Sequence, residues 1–327
     1  MVKAMAKPFF PWVGGKEKLI PYIRQMLPPV FFQYVEPFGG GGAMLLGLPP
    51  KPNRLDIYND YNNDLSNLFL CTRDRPLALV RDLKFLPLHS RREFELLLQF
   101  VRHEELLLTY MEEEREVAEA YFPPEDMSEL VKALRGKAEL FDVRRAANYF
   151  RRCRYSFSGT TNTFGVRPCN LEHFFCSITS ASKRLQEAVV ENKDGVELIH
   201  QRDRPDGVLY CDPPYYEAEG SYESCFTRRD HVRLWAALRE CRGYTIISYN
   251  DCPYIRNLYK DFYMFTFKRN NPLSQQAGAE YGELLIANFD PRLFFTSQIT
   301  IFPTVDASRE LRLIREPAVE LRRKNNV

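Results

Sequence analysis

The apolar run Val208-Leu209-Tyr210-Cys211 breaks into Asp212-Pro213-Pro214-Tyr215, and this junction constrains the chain more than any other segment. The run reads as a buried strand about to leave its sheet. Two successive prolines supply no backbone N–H and fix an extended, stiff turn. Asp212 and Tyr215 are thereby held at the carboxyl end of a strand, where open α/β sheets place their ligands. A carboxylate, a carbonyl without neighbouring donors and an aromatic face suit a planar amino-heterocycle such as adenine. The plainer alternative is a proline turn carrying an incidental Asp and Tyr.

The rest of the chain supplies the sheet that such a turn needs. Phe10-Pro11-Trp12-Val13-Gly14-Gly15-Lys16 precedes an expected helix from Glu17 to Met26. A strand near Tyr34-Val35 runs into Glu36-Pro37-Phe38 and glycines 39 to 42, then into a helix from Ala43. Leu55-Asp56-Ile57-Tyr58 is a second strand, followed by Asn59-Asp60-Tyr61-Asn62-Asn63-Asp64 and another helix. Strand, glycine turn, helix, strand, acidic turn is half of a nucleotide-binding α/β unit. Alternation resumes near residue 172, with strands at Val189-Val190, Val208–Cys211 and Thr245–Ser248. Phe262–Lys268 and Glu283–Phe289 predict an antiparallel pair at the sheet edge. Arg309–Lys324 reads as a peripheral helix or a partly disordered tail.

Between these halves the character changes. Over residues 75–140 Leu and Glu dominate, and Phe94, Leu97, Leu98 and Val101 repeat at helical spacing. Charge is polarised: nine glutamates against Arg102 and Arg115 from Glu93 to Glu119, then six arginines (144, 145, 151, 152, 154, 167) against Asp142 from Phe141 to Asn170. The whole chain carries only +2, so the basic segment, not the total, is what a polyanion would approach. A solvated helix face is the alternative reading of such a run. Eight cysteines with no C-x-x-C pair and five histidines argue for reduced structural thiols and no metal site. No apolar stretch reaches membrane-spanning length, and the N-terminus lacks a signal-peptide core, so a cytoplasmic protein is expected.

The glycine elements narrow the cofactor. Gly14-Gly15-Lys16 continues with Glu17 and lacks the upstream glycine of a P-loop. Gly39-x-Gly41 meets Met44 where a dinucleotide fingerprint needs its third glycine. Asp60 stands 21 residues beyond Gly39, past the second strand, where an acid can bind both ribose hydroxyls. A nucleoside without pyrophosphate fits that pair, and S-adenosylmethionine is such a cofactor.

Pro11–Lys16, Val35–Gly41, Asn59–Leu65 and Asp212–Tyr215, taken in order, resemble the motifs of Dam-like N6-adenine DNA methyltransferases, over about Lys7 to Asp290. The resemblance implies an α/β fold: a Rossmann-like methyltransferase core, mostly parallel sheet with an antiparallel edge hairpin, interrupted by a helical target-recognition insertion. The core would be 1–70 and 171–290, the helical and basic insertion 71–170, and the C-terminal extension 291–327. It implies catalysis by Asp212, Pro213, Pro214 and Tyr215. Trp12, Lys16, Glu36, Phe38, Gly39, Gly41, Asp60, Asp194 and Asp212 would bind S-adenosylmethionine. Cys153–Gly159 looks like a diverged form of the family's Asn-Arg-Tyr-Gly-Tyr-Asn-Gly DNA-contact loop, which puts Arg152, Arg154, Tyr155, Phe157, Ser158 and Asn162 against double-stranded DNA. Tyr155 or Phe157 would fill the gap left by a flipped-out base. Other exocyclic amines (cytosine N4, an RNA base) and an inactive DNA-binding regulator remain open alternatives. Pro168-Cys169 resembles the nucleophile dipeptide of cytosine-C5 enzymes, but it lies in the expected insertion, away from the cofactor strand.

Overall fold

The computed structural model describes residues 6–12, 14–16, 19–85, 91–92, 95, 116, 120, 123, 129, 132, 142–156, 164–165, 174–217, 226–270, 280–295, 311–318 and 321. Most of the acidic stretch, the Pro168-Cys169 dipeptide and most of the 271–282 loop lie outside them. The chain packs as two units: one of residues 1–15 and 62–192, the other of 16–61 and 193–327. The division falls at 62 and 193.

The second unit holds a seven-stranded run of sheet. Its strands are β1 (Gln33–Glu36), β2 (Leu55–Asn59), β4 (Gly207–Cys211), β5 (Tyr244–Asn250), β6 (Tyr263–Asn270), β7 (Glu280–Ala287) and β8 (Arg312–Arg315), in the spatial order β2-β1-β4-β5-β7-β6-β8. β1 pairs in parallel with β2 and β4, and β4 with β5. β7 runs antiparallel between β5 and β6, and β8 antiparallel on β6. Five of these strands therefore share one direction, the mostly parallel, Rossmann-like arrangement expected. The hairpin differs in one respect. It is not the edge, because Arg312–Arg315, expected as helix or disordered tail, forms a further strand outside β6.

β4 is buried at all five positions, as an interior parallel strand must be. Strand alternation sends Leu209, Cys211, Ile247, Tyr249, Leu284 and Ile286 to one face, into a core shared with α7 (Gly195–Arg202), α8 (Arg228–Glu240) and α9 (Pro253–Leu258). The residues in between, Tyr210, Ser248 and Glu283, point to the opposite face. That alternation decides which side chains meet in the site. The short helices α1 (Ile20–Met26) and α2 (Ala43–Gly47) pack together, and the Tyr22 ring meets Phe267 of β6 at 4.5 Å.

The first unit comprises β3 (Ala188–Glu191) and the helices α3 (Asn63–Asp74), α4 (Pro76–Phe85), α5 (Val143–Tyr155) and α6 (Phe175–Leu185). Asn62 caps α3 by accepting from the Leu65 amide, and Asp142 caps α5 by accepting from that of Arg145. α3 packs against α5 and α6 over an aromatic cluster of Phe9, Phe10, Phe69 and Phe150. Among the described residues no helix is long and apolar enough to cross a membrane, and no cluster of His, Cys, Asp or Glu could hold a metal ion.

Candidate active site

The sheet order reverses between β1 and β4: the chain proceeds from β1 to β2 on one side and to β4 on the other. A crevice opens at such a switch point, beyond the carboxyl ends of the strands. Glu36-Pro37-Phe38-Gly39 leaves β1 there, and Asp212-Pro213-Pro214-Tyr215 leaves β4.

The glycine turn is built from close approaches. A Cβ on Gly39 would lie 2.3 Å from Cε2 of Tyr58 and 2.9 Å from the Asn59 carbonyl oxygen, so no other residue fits. Gly40 and Gly42 adopt φ of 49° and 65°, the left-handed region that glycine enters without strain. The Gly40 amide donates to Asp60 Oδ2 at 2.9 Å, and the Tyr58 hydroxyl donates to the Gly40 carbonyl at 2.7 Å. Asp60 is thus drawn back over the turn, one carboxylate oxygen fixing it. Asn59, wholly buried, ties two loops together. Its Nδ2 donates to the carbonyls of Pro37 at 2.8 Å and Lys193 at 3.0 Å, and its Oδ1 accepts from the Lys193 amide at 2.9 Å.

That tether brings Asp194 to the same rim. Asp194 caps α7, accepting from the amides of Val196 and Glu197, and Arg233 holds it through two further bonds at 2.6 and 2.9 Å. Burial works to raise its pKa, but the Arg233 hydrogen bond and the two amides win and the carboxyl lies below its ordinary value. Phe38 stands beside it: a Cβ on Gly195 would come within 2.7 Å of the Phe38 ring. Glu36 is more withdrawn than expected for a ligand contact, being 2 % exposed and accepting from the Tyr34 hydroxyl at 2.7 Å. Gly41 is buried within the turn.

Asp212 is the centre of the second cluster. Its Oδ1 takes the Lys16 ammonium at 3.0 Å and the Ser248 hydroxyl at 2.7 Å. The serine proton is committed there, so the Tyr210 hydroxyl, 3.0 Å from Ser248 Oγ, is the donor in that pair. Asp212 Oδ2 and the Pro213 carbonyl make no hydrogen bond to any described residue, and the Asp212 side chain keeps 22 % of its surface exposed. Burial raises the Asp212 carboxyl above its ordinary value; Lys16 and Ser248 oppose that shift and the Glu283 charge adds to it. Pro213 and Pro214 are both buried, as a stiff turn packed from beneath requires.

Tyr215 is less open than a free stacking platform. It is 7 % exposed, its hydroxyl donates to Glu283, and the Lys16 ammonium lies 4.5 Å from its ring centroid. Burial, then the Glu283 charge, hold its phenol far above the ordinary range, so it stays a donor. The better exposed aromatic is its neighbour Tyr216, stacked at 4.3 Å on Tyr254, with Asn250 Nδ2 bonded to the Tyr216 carbonyl at 3.0 Å.

The remaining expected residues belong to the first unit. Trp12 is half-buried, edge-on to Phe10 at 6.0 Å. Of the expected DNA contacts, Tyr155 is 2 % and Arg152 8 % exposed, and Arg154 is half-buried with its guanidinium 5.0 Å from the Phe174 ring. Tyr155 is therefore a core residue of α5 in this structure. The basic run is also partly spent inside the unit: Arg151 is buried on Asp82, and Arg145 pairs with Asp64. Phe157, Ser158 and Asn162 lie outside the described residues. Sequence reasoning missed Asn59, Ser248 and Glu283. A signal existed for the last, a lone acid at the head of the apolar run Leu284-Leu285-Ile286.

A family model for D12 class N6 adenine-specific DNA methyltransferases matches residues 12–272. The chain is 24 % identical over 308 residues to the type II methyltransferase M1.LlaDCHI of Lactococcus lactis subsp. cremoris, covering 88 % of this chain and 97 % of that one. It is 27 % identical over 301 residues to a DNA adenine methylase of Vibrio cholerae serotype O1, covering 87 % and 96 %. A shorter match, 34 % over 101 residues, joins it to the type II methyltransferase M.MjaIII of Methanocaldococcus jannaschii. With most of its length matched and the glycine turn, acidic turn and Asp-Pro-Pro-Tyr corner at the ends of β1, β2 and β4, the chain belongs to the D12 class of N6 adenine-specific DNA methyltransferases.

Proposed function

We propose that this enzyme transfers the methyl group of S-adenosylmethionine to N6 of an adenine flipped out of duplex DNA. One observation carries the reading. Asp212 is anchored through Oδ1 alone, while Oδ2 and the neighbouring Pro213 carbonyl, two acceptors on one stiff corner, face no donor among the described residues.

The chemistry of the rim suits the cofactor. Asp60 and Asp194 are acceptors, and Phe38 offers an apolar face. A ribose, an adenine amine and a sulfonium present donors and positive charge to such a lining. Trp12 and Lys16 complete the set by resemblance to the family. When bound, S-adenosylmethionine supplies an electrophilic methyl group.

The protein's own task is to make a poor nucleophile adequate. The N6 lone pair of adenine is delocalised into the ring. Asp212 Oδ2 and the Pro213 carbonyl would accept its two N–H bonds, drawing nitrogen towards tetrahedral geometry and localising the pair. As N6 alkylates it becomes cationic, and the fixed carboxylate stabilises charge that exists only beyond the ground state. The raised Asp212 pKa makes Oδ2 a better acceptor for the departing proton than a surface aspartate. Tyr215, 7 % exposed, would help hold the base. N6 inside a duplex cannot reach this corner, so the base must leave the stack, at a cost of a few kcal/mol.

The test is direct: methyl-labelled S-adenosylmethionine and unmethylated duplex DNA, then digestion to nucleosides. Label on N6-methyldeoxyadenosine supports the reading; label on deoxycytidine or only on RNA overturns it. Substituting 2-aminopurine for the target base gives a fluorescence rise if the base unstacks on binding.

A further inference from the structure

Glu283 heads the apolar stretch of β7 with no exposed surface. Burying a carboxylate is costly unless it is paired, and an apolar residue would serve the sheet better there. What Glu283 holds explains its place. Its Oε1 accepts from the Tyr215 hydroxyl and lies 3.8 Å from the Lys16 ammonium, and that same ammonium is 3.0 Å from Asp212 Oδ1. Register helps: Glu283 pairs with Asn250 at the carboxyl end of β5, two residues beyond Ser248, which anchors the same Asp212 oxygen.

We propose that Glu283 is a positioning residue for methyl transfer: by sharing Lys16 with Asp212 and fixing Tyr215, it keeps the ammonium on Oδ1 and leaves Oδ2 to the target amine. The inference rests on the reading of Asp212 as acceptor of that amine. Without the second carboxylate, Lys16 would be drawn more strongly to Asp212 and compete for Oδ2 with the substrate. The ammonium is itself a compact N–H donor, so it is a close rival of an exocyclic amine for that oxygen.

Two substitutions separate positioning from mere support. In Glu283→Gln the repulsive charge is gone and Lys16 is concentrated on Asp212, so the Asp212 pKa falls. In Tyr215→Phe, Glu283 loses a donor and pulls harder on Lys16, so the Asp212 pKa rises. The groups facing Asp212 are Lys16, Ser248, Glu283 and Tyr210, with Tyr215 acting through Glu283.

The experiment measures kcat and KM against pH with S-adenosylmethionine and unmethylated duplex DNA. Alongside it, 13C NMR follows the Asp212 carboxyl in the free protein, with thermal melts as a fold check. Expected are a kcat for Glu283→Gln lower by roughly 10- to 100-fold, the cost of a misplaced reacting group, with cofactor KM little changed. The acid limb and the carboxyl titration should move down in Glu283→Gln and up in Tyr215→Phe. Unmoved titrations, shifts of the same sign, or full kcat in Glu283→Gln overturn the proposal. Should Glu283→Gln fail to fold, the upward shift in Tyr215→Phe still decides it. Failure of the wild-type enzyme to methylate adenine would sink the underlying reading instead, a distinct result.

Discussion

Asn59→Ala is the perturbation whose outcome follows most closely from the geometry. Asn59 is fully buried at the carboxyl end of β2 and makes three hydrogen bonds, to the Pro37 carbonyl and to the amide and carbonyl of Lys193. At about 1 kcal/mol net per bond, their loss with the small cavity left behind should destabilise the protein by about 3 kcal/mol. That is on the order of a hundredfold in the folding equilibrium. Urea denaturation should show a lower midpoint at unchanged slope, since the surface exposed on unfolding is the same. Asn59→Asp sharpens the test: it keeps the acceptor for the Lys193 amide but sets a carboxylate against two carbonyl oxygens. It should therefore cost more than alanine at pH 8. The same tether joins the Phe38 turn to Asp194, so calorimetric affinity for S-adenosylmethionine should drop in both variants. Destabilisation below about 0.5 kcal/mol, or an aspartate milder than alanine, would refute the reasoning.

Other outcomes are equally specific. Ser248→Ala removes a hydrogen bond that favours ionised Asp212, so the Asp212 pKa should rise further. Because the carboxylate form is the active one, activity falling with pH should then be lost at a higher pH than in wild type; an unmoved acid limb would contradict the anchoring role. Arg151→Ala removes a buried guanidinium bonded to Asn148 and Asp82, whose side chain keeps 22 % exposure and hence some water. A loss of roughly 3 kcal/mol in the denaturation of the first unit is expected, at the low end for a broken buried pair. A change within experimental error would mean the pair is not carrying the packing of α5 on α4.

Much of the second unit was legible in sequence because its signals are local. An apolar run ending in two prolines, a glycine quartet after Val35 and an acid after Tyr58 each announce a strand end, and parallel strands place their ends together. Asp212, Phe38, Asp60 and Asp194 accordingly lie at the rim of one sheet. The cluster around Asp212 was not legible. Lys16, Ser248 and Glu283 come from three distant segments, joined by strand register that no local pattern encodes. The basic run misled for the same reason: counting arginines along α5 cannot reveal that Asp64 and Asp82 neutralise two of them from other helices. Tyr155 is buried because helical phase, not aromatic character, decides burial. β8 was not legible because two apolar residues flanked by arginines, Arg312-Leu313-Ile314-Arg315, resemble a charged tail.

The most direct test of the central claim compares wild type with Asp212→Ala at matched cofactor affinity, using labelled S-adenosylmethionine, unmethylated duplex DNA and nucleoside analysis. The account predicts N6-methyldeoxyadenosine from the wild type and none from a folded Asp212→Ala protein. Undiminished adenine methylation by that variant, or label on another base in the wild type, would contradict it.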